Sequence, residues 1–142
     1  MHIRNIELVT TKILKSFGLM RVPINLDFLA DKLEIKVIES DPENDELSGA
    51  LVRSEFSKIL INKKHPPVRK RFTLAHEIGH FILHPNKSNF IDGNGANQVR
   101  VLFRSTNMSD GALETEANFF AACLLMPLEL LNDAIRSFEG DR

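Results

Sequence analysis

Residues 72–84 read Phe72-Thr73-Leu74-Ala75-His76-Glu77-Ile78-Gly79-His80-Phe81-Ile82-Leu83-His84, and this stretch decides what kind of domain the chain can form. Pro66-Pro67 before it and Pro85 after it bracket a helix that starts near Val68. At 100° per residue, Phe72, Leu74, Ala75, Ile78, Gly79, Phe81 and Ile82 fill a very wide apolar arc. Thr73, His76, Glu77, His80 and His84 keep the remaining polar sector. A surface helix carries a narrower apolar stripe and more lysine and glutamate. The pattern therefore predicts a helix buried on most sides, with its polar sector turned towards a groove.

His76 and His80 lie four residues apart, so on a helix they share one face about 6 Å apart. Two imidazoles at that spacing can converge on one metal ion, with Zn–N distances of about 2.0–2.1 Å. Glu77 stands beside the pair, where its carboxylate reaches a water next to the ion without ligating it. Zinc makes such a water acidic, and Glu77 can take its proton. The pattern H-E-x-x-H is short enough to arise by chance, and two core histidines one turn apart can serve packing alone. The burial of this helix and the gathering of its polar groups favour ligation. His84 continues the spacing but sits eight residues from His76, about 12 Å along the axis, too far for all three to hold one ion. Pairing His80 with His84 would put Phe81 where the acid must stand, so His84 is expected to pack or to support a ligand.

A catalytic zinc site takes three protein ligands and leaves one position open. A third histidine six residues after His80 is absent, since Asn86 occupies that place. A second helix, expected over about Gly111–Met126, carries Glu114-Thr115-Glu116-Ala117-Asn118. Glu114 shares its side with Asn118, Ala121 and Leu125, and the small residues let another helix come close. Glu116 points nearly opposite, near Cys123. This projection favours Glu114 as the third ligand and leaves Glu116 as the alternative. Both are also acidic groups that a helix dipole favours in a first turn. Asn118, one turn after Glu114, can hydrogen-bond a ligand.

Ile3, Ile6, Val9, Ile13, Leu14 and Phe17 recur at helical spacing, and Gly18 supplies a stop. A short helix follows over Leu26–Leu33, with Leu26, Leu29, Ala30 and Leu33 inward. Ile35–Ile38 reads as a strand, Asp41–Glu46 as a loop, and Ser48–Arg53 with Lys58–Asn62 as a hairpin. Residues 86–110 read as a long, partly irregular loop with one strand-like piece, Val99–Phe103. Pro127 suits the first turn of a final helix. Helices, then a small sheet, then helices argue for a single α+β domain over residues 1–142.

At 142 residues the chain can bury one core. No apolar run approaches the ~18–20 residues that cross a bilayer, and the N-terminus lacks the layout of a secretory signal. The lone cysteine, Cys123, allows no internal disulfide, and its apolar helix suits a buried small residue rather than a nucleophile. The expected location is the cytoplasm. A formal net charge of -1 argues against direct nucleic-acid binding. Lys63-Lys64-His65 with Arg69-Lys70-Arg71, and the acidic stretch Asp41–Glu46, read as solvated surface, with docking as the alternative for the basic cluster.

The stretch from Phe72 to His84, together with Glu114-Thr115-Glu116-Ala117-Asn118-Phe119-Phe120-Ala121-Ala122-Cys123-Leu124-Leu125-Met126-Pro127, resembles the ImmA/IrrE family of metallo-endopeptidases. Val22-Pro23-Ile24-Asn25-Leu26, Ser48-Gly49 and Ile61-Asn62 extend the likeness, so that it covers most of residues 20–128. The resemblance implies a compact zincin-like α+β fold, with a small sheet packed on the H-E-x-x-H helix and further helices around it. It implies one zinc ion held by His76, His80 and Glu114, with Glu77 as general base. It further implies a protein substrate: a helix-turn-helix repressor cut at one site, derepressing mobile-element or stress-response genes. The chain ends soon after its last helix, so the C-terminal sensor domain of longer members is expected to be missing. An oxyanion donor cannot be a tyrosine, since the chain has none; His65, His84, Arg100 and Arg104 are the candidates. An extended substrate could add to an edge of the hairpin, at Ser48–Arg53 or Lys58–Asn62. The alternative to proteolysis is a zinc-containing binding module, or a toxin–antitoxin component, that sequesters a partner regulator.

Overall fold

A computed structural model of the chain describes residues 3–43, 47–86, 89–93 and 109–140. Its elements run α1 (Ile3–Ser16), α2 (Leu26–Lys32), β1 (Ile35–Ser40), β2 (Leu47–Arg53), β3 (Ser57–Asn62), α3 (Pro67–Leu83), β4 (Asn89–Gly93), α4 (Ser109–Leu125) and α5 (Leu128–Gly140). This is the expected α+β arrangement. α1 ends as its sequence implies: Gly18 adopts φ 68, which an L side chain resists, and the Leu19 and Gly18 amides donate to Leu14 O and Lys15 O at 2.8 and 3.2 Å. At the start of α2 the Asn25 side chain accepts the Phe28 amide at 3.0 Å. Leu26, Leu29 and Ala30 are buried there, and Leu33 caps the helix half-buried.

The four strands lie in the order β1-β3-β2-β4. β1 runs parallel to β3, while β2 pairs antiparallel with both β3 and β4. Two expectations need correction. Asn89–Gly93 is a strand, not irregular loop: asparagine, aspartate and glycine are poor strand formers, and only the ladder to β2 makes the segment extended. The hairpin also offers no free edge, because β1 covers β3 and β4 covers β2. The strand-like piece Val99–Phe103 lies outside the described residues.

α3 packs most extensively against α4 and lies across β2 and β3. Leu51, Ile59 and Ile61 from the sheet, Leu74, Ala75 and Ile78 from α3, and Phe120, Ala121 and Leu124 from α4 join one core. Ile6 and Leu14 of α1 and Leu29 of α2 complete it. Each leucine, isoleucine or phenylalanine among them contributes roughly 1.5–3 kcal/mol when buried. Residues 73–80 are buried without interruption, so the middle of α3 is enclosed more fully than the expected burial on most sides. Phe72 departs from that arc and is 39% exposed.

The basic cluster is held within the molecule. Lys64 meets Asp41 at 3.1 Å, Lys70 meets Glu39 at 2.6 Å, and Arg71 donates to Ile24 O at 2.6 Å. Arg69 donates to the Ser48 hydroxyl at 3.2 Å. Exposed pairs of this kind are worth ~0–1 kcal/mol each, so they orient the first half of α3 more than they stabilise it. At the other end of the chain α5 is amphipathic, yet Leu128, Leu131, Ile135 and Phe138 are exposed. Among the described residues no single helix is long and apolar enough to cross a membrane; α4 and α5 pass that test only together, across a 43° bend.

Candidate metal centre

Two helices build the site. α3 presents His76 and His80 one turn apart, with ring centroids 4.7 Å apart and planes at 88°. α4 brings Glu114 against them: its Oε1 is 3.3 Å from His76 Nε2, and its Oε1 and Oε2 are 3.1 and 2.8 Å from His80 Nε2. One ligand atom from each of the three residues lies within 4.8 Å of the others. His76 and His80 are buried, whereas the Glu114 side chain is 34% exposed, so the cluster opens to solvent on the glutamate side.

Asn118 lies one turn after Glu114, and its Oδ1 is 2.8 Å from His76 Nδ1. An amide oxygen only accepts, so His76 carries its proton on Nδ1 and turns the Nε2 lone pair towards Glu114. Two imidazole nitrogens with their far sides engaged, plus one carboxylate, form the N/N/O donor set that suits zinc and several other divalent ions. The residues fit such an ion.

Glu77 is fully buried between α3 and β2. Gly49 of β2 lets α3 come close to the sheet beside it: a Cβ there would lie 2.5 Å from Thr73 Cγ2 and 2.9 Å from Leu60 O, and in ordinary contact, 3.5 Å, with Glu77 Oε2. On the opposite side of α3, a Cβ on Gly79 would lie 3.1 Å from Phe120 Cδ1 and 3.3 Å from Ala117 O. One glycine lets the helix approach the sheet and the other lets it approach α4.

Glu116 does not join the three converging groups. Its Oε1 lies 2.8 Å from His84 Nε2, and His84 Nδ1 lies 3.0 Å from His80 Nδ1. The helical projection tracks Cα directions, whereas a glutamate with three rotatable bonds reaches around the helix to the next turn of α3. Burial works against the Glu116 carboxylate, yet its hydrogen bonds, the one from His84 among them, hold it below the ordinary carboxylate range. The support expected of His84 is thus met through a contact that spacing did not reveal. Because both its ring nitrogens are engaged, His84 is poorly placed to serve as an oxyanion donor. His65 is no better: it precedes α3, roughly 15 Å along the axis from His76. Arg100 and Arg104 lie outside the described residues.

Arg53 stands in no motif that the sequence displays. From the end of β2 its Nη2 donates to His80 O, Phe81 O and His84 O at 3.1, 2.9 and 3.3 Å, and the guanidinium sits 4.9 Å from the Phe81 ring. A helix stopped by Pro85 must leave last-turn carbonyls without intrahelical donors, and that much was visible in the sequence. Which cation would meet them was not.

The profile of the IrrE N-terminal-like domain matches residues 30–141. An 84-residue stretch, 59% of this chain, is 38% identical to the radiation response metalloprotease IrrE of Deinococcus deserti and covers 27% of it. The corresponding protein of Deinococcus radiodurans is 37% identical over 84 residues, 24% of its length. The chain therefore matches only about a quarter of each of these relatives.

Proposed function

From the chain's membership of the family of IrrE N-terminal-like domains, we propose that it is a zinc-dependent endopeptidase. The observation that carries this reading is the meeting of His76, His80 and Glu114 beside the buried Glu77. His76, His80 and Glu114 would hold one Zn²⁺. When bound, zinc supplies Lewis-acid polarisation of the scissile carbonyl and acidifies the attacking water. Glu77 accepts a proton from that water and returns it to the departing amine, so the peptide bond breaks with no net proton change. Its enclosure between α3 and β2 fixes where the carboxylate stands and limits competing water. Asn118 orients His76 through Nδ1.

The substrate is proposed to be a helix-turn-helix repressor in the cytoplasm, cut at one site. An extended segment of it would lie along β4. β4 adjoins β2, the strand that faces Glu77, and no further strand pairs with its outer side among the described residues. The test is to incubate the protein with the repressor encoded beside its gene. Site-specific fragments that vanish with a chelator and with Glu77→Gln are expected. Undiminished regulation of the partner by Glu77→Gln, with zinc retained, would replace proteolysis by sequestration.

A further inference from the structure

We propose that Glu116 and His84 form a positioning relay that sets the tautomer of His80 and strengthens its grip on a divalent ion; this rests on the metal-site reading above. Valence decides the direction of each hydrogen bond. Two imidazole nitrogens 3.0 Å apart, His80 Nδ1 and His84 Nδ1, require one donor and one acceptor. His80 can offer the Nε2 lone pair that faces Glu114 only if its proton sits on Nδ1. That proton is donated to His84 Nδ1, so a neutral His84 carries its own proton on Nε2, where Glu116 Oε1 accepts it at 2.8 Å. The chain of donors then runs from His80 through His84 to a carboxylate, which leaves the His80 Nε2 lone pair for an ion shared with Glu114.

Burial gives the relay its strength. The His80 side chain is 0% exposed, that of His84 5% and that of Glu116 17%, so little water screens the charge of the terminal carboxylate. The two ligating imidazoles are supported unequally. His76 leans on the neutral amide of Asn118, whereas His80 is polarised by an anion acting through a second ring. Glu114, Glu116 and Asn118 all come from the first turns of α4, so docking of one helix on α3 delivers a ligand and both supports together. Arg53 approaches the same turn but engages the His84 carbonyl, not the ring.

The experiment measures Zn²⁺ affinity by chelator competition for wild type, Glu116→Ala, Glu116→Gln, His84→Ala and the His84→Ala/Glu116→Ala double variant. Glu116→Ala is expected to weaken binding about 10-fold, the lower end of what lost outer-shell partners cost. Glu116→Gln falls between, since its amide oxygen still accepts from His84 but carries no charge. In the His84→Ala background the second substitution should have almost no effect, because the carboxylate acts through that ring. Nitrogen-15 NMR of the zinc-loaded wild type should find His84 protonated on Nε2 and His80 on Nδ1, a readout that packing alone would not set. An unchanged affinity in Glu116→Ala, an equal loss in both backgrounds, or a proton on His84 Nδ1 overturns the relay. Should Glu116→Ala fail to fold, Glu116→Gln and the wild-type spectra decide it. A wild type that binds no zinc defeats the metal-site reading itself, a different result from zinc binding indifferent to Glu116.

Discussion

Gly79 and Phe120 are in contact across the α3–α4 interface so closely that a single added methyl at the glycine would sit 3.1 Å from the ring Cδ1 and 3.2 Å from Phe120 Cβ. Phe120 is fully buried and the Ala117 carbonyl stands 3.3 Å from the same point, so neither neighbour can easily give way. This contact sets the distance over which Glu114 must reach the two histidines.

Gly79→Ala should therefore separate the helices. Alanine gains about 1 kcal/mol of helix propensity over glycine, while overpacking costs ~1–3 kcal/mol. The expected net result is a melting temperature a few degrees lower and a weaker zinc affinity, measured by calorimetry and chelator competition. A Gly79→Ala protein with wild-type affinity would show that the approach is not limiting.

Gly49 is tighter still. Its added methyl would meet Thr73 Cγ2 at 2.5 Å and the backbone oxygen of Leu60 at 2.9 Å. Gly49→Ala should destabilise by about 2–3 kcal/mol and displace Glu77, lowering hydrolysis more than zinc binding. Adding Thr73→Ser removes the closer contact and should recover part of the stability in a denaturant titration, but not all, because Leu60 O remains.

Arg53 is the donor to three carbonyls at the end of α3. Arg53→Met keeps much of the apolar stem and removes the hydrogen bonds. A loss of about 1–2 kcal/mol is expected, modest because the group is part-exposed and water can partly replace it. Burial lowers the Arg53 pKa, without bringing its deprotonation into the range of the test. Hydrogen exchange should quicken at the His84 amide, which bonds to His80 O at 3.0 Å, and not in α1.

Cys123 should be unreactive. Burial, and then the nearby Glu7 carboxylate, push its thiol up to about 11. A raised pKa keeps the thiol protonated below that value, so at pH 8 only on the order of a thousandth is thiolate, against roughly a quarter for an ordinary cysteine. Iodoacetamide labelling at pH 8 should be roughly 200-fold slower in the folded protein than in the unfolded chain, and should rise about tenfold per pH unit up to about pH 11. Fast labelling at pH 8 would contradict the burial.

The sequence by itself determined the middle of α3, the pairing of His76 with His80, the place of Glu77 beside them and the preference for Glu114. Those follow from the 3.6-residue period and from side-chain chemistry, which act over a turn or two. The ends of α1 and α3 were legible for the same local reason, in Gly18 and in Pro66, Pro67 and Pro85. Only the tertiary structure decided that Asn89–Gly93 is a strand, that both hairpin edges are covered, that Glu116 reaches His84, and that Arg53 closes the end of α3. Each depends on which element lies beside which, and on where a long side chain ends rather than where its Cα starts. Such contacts join residues 22 to 46 positions apart, a separation at which periodicity along one element carries no information about its neighbour.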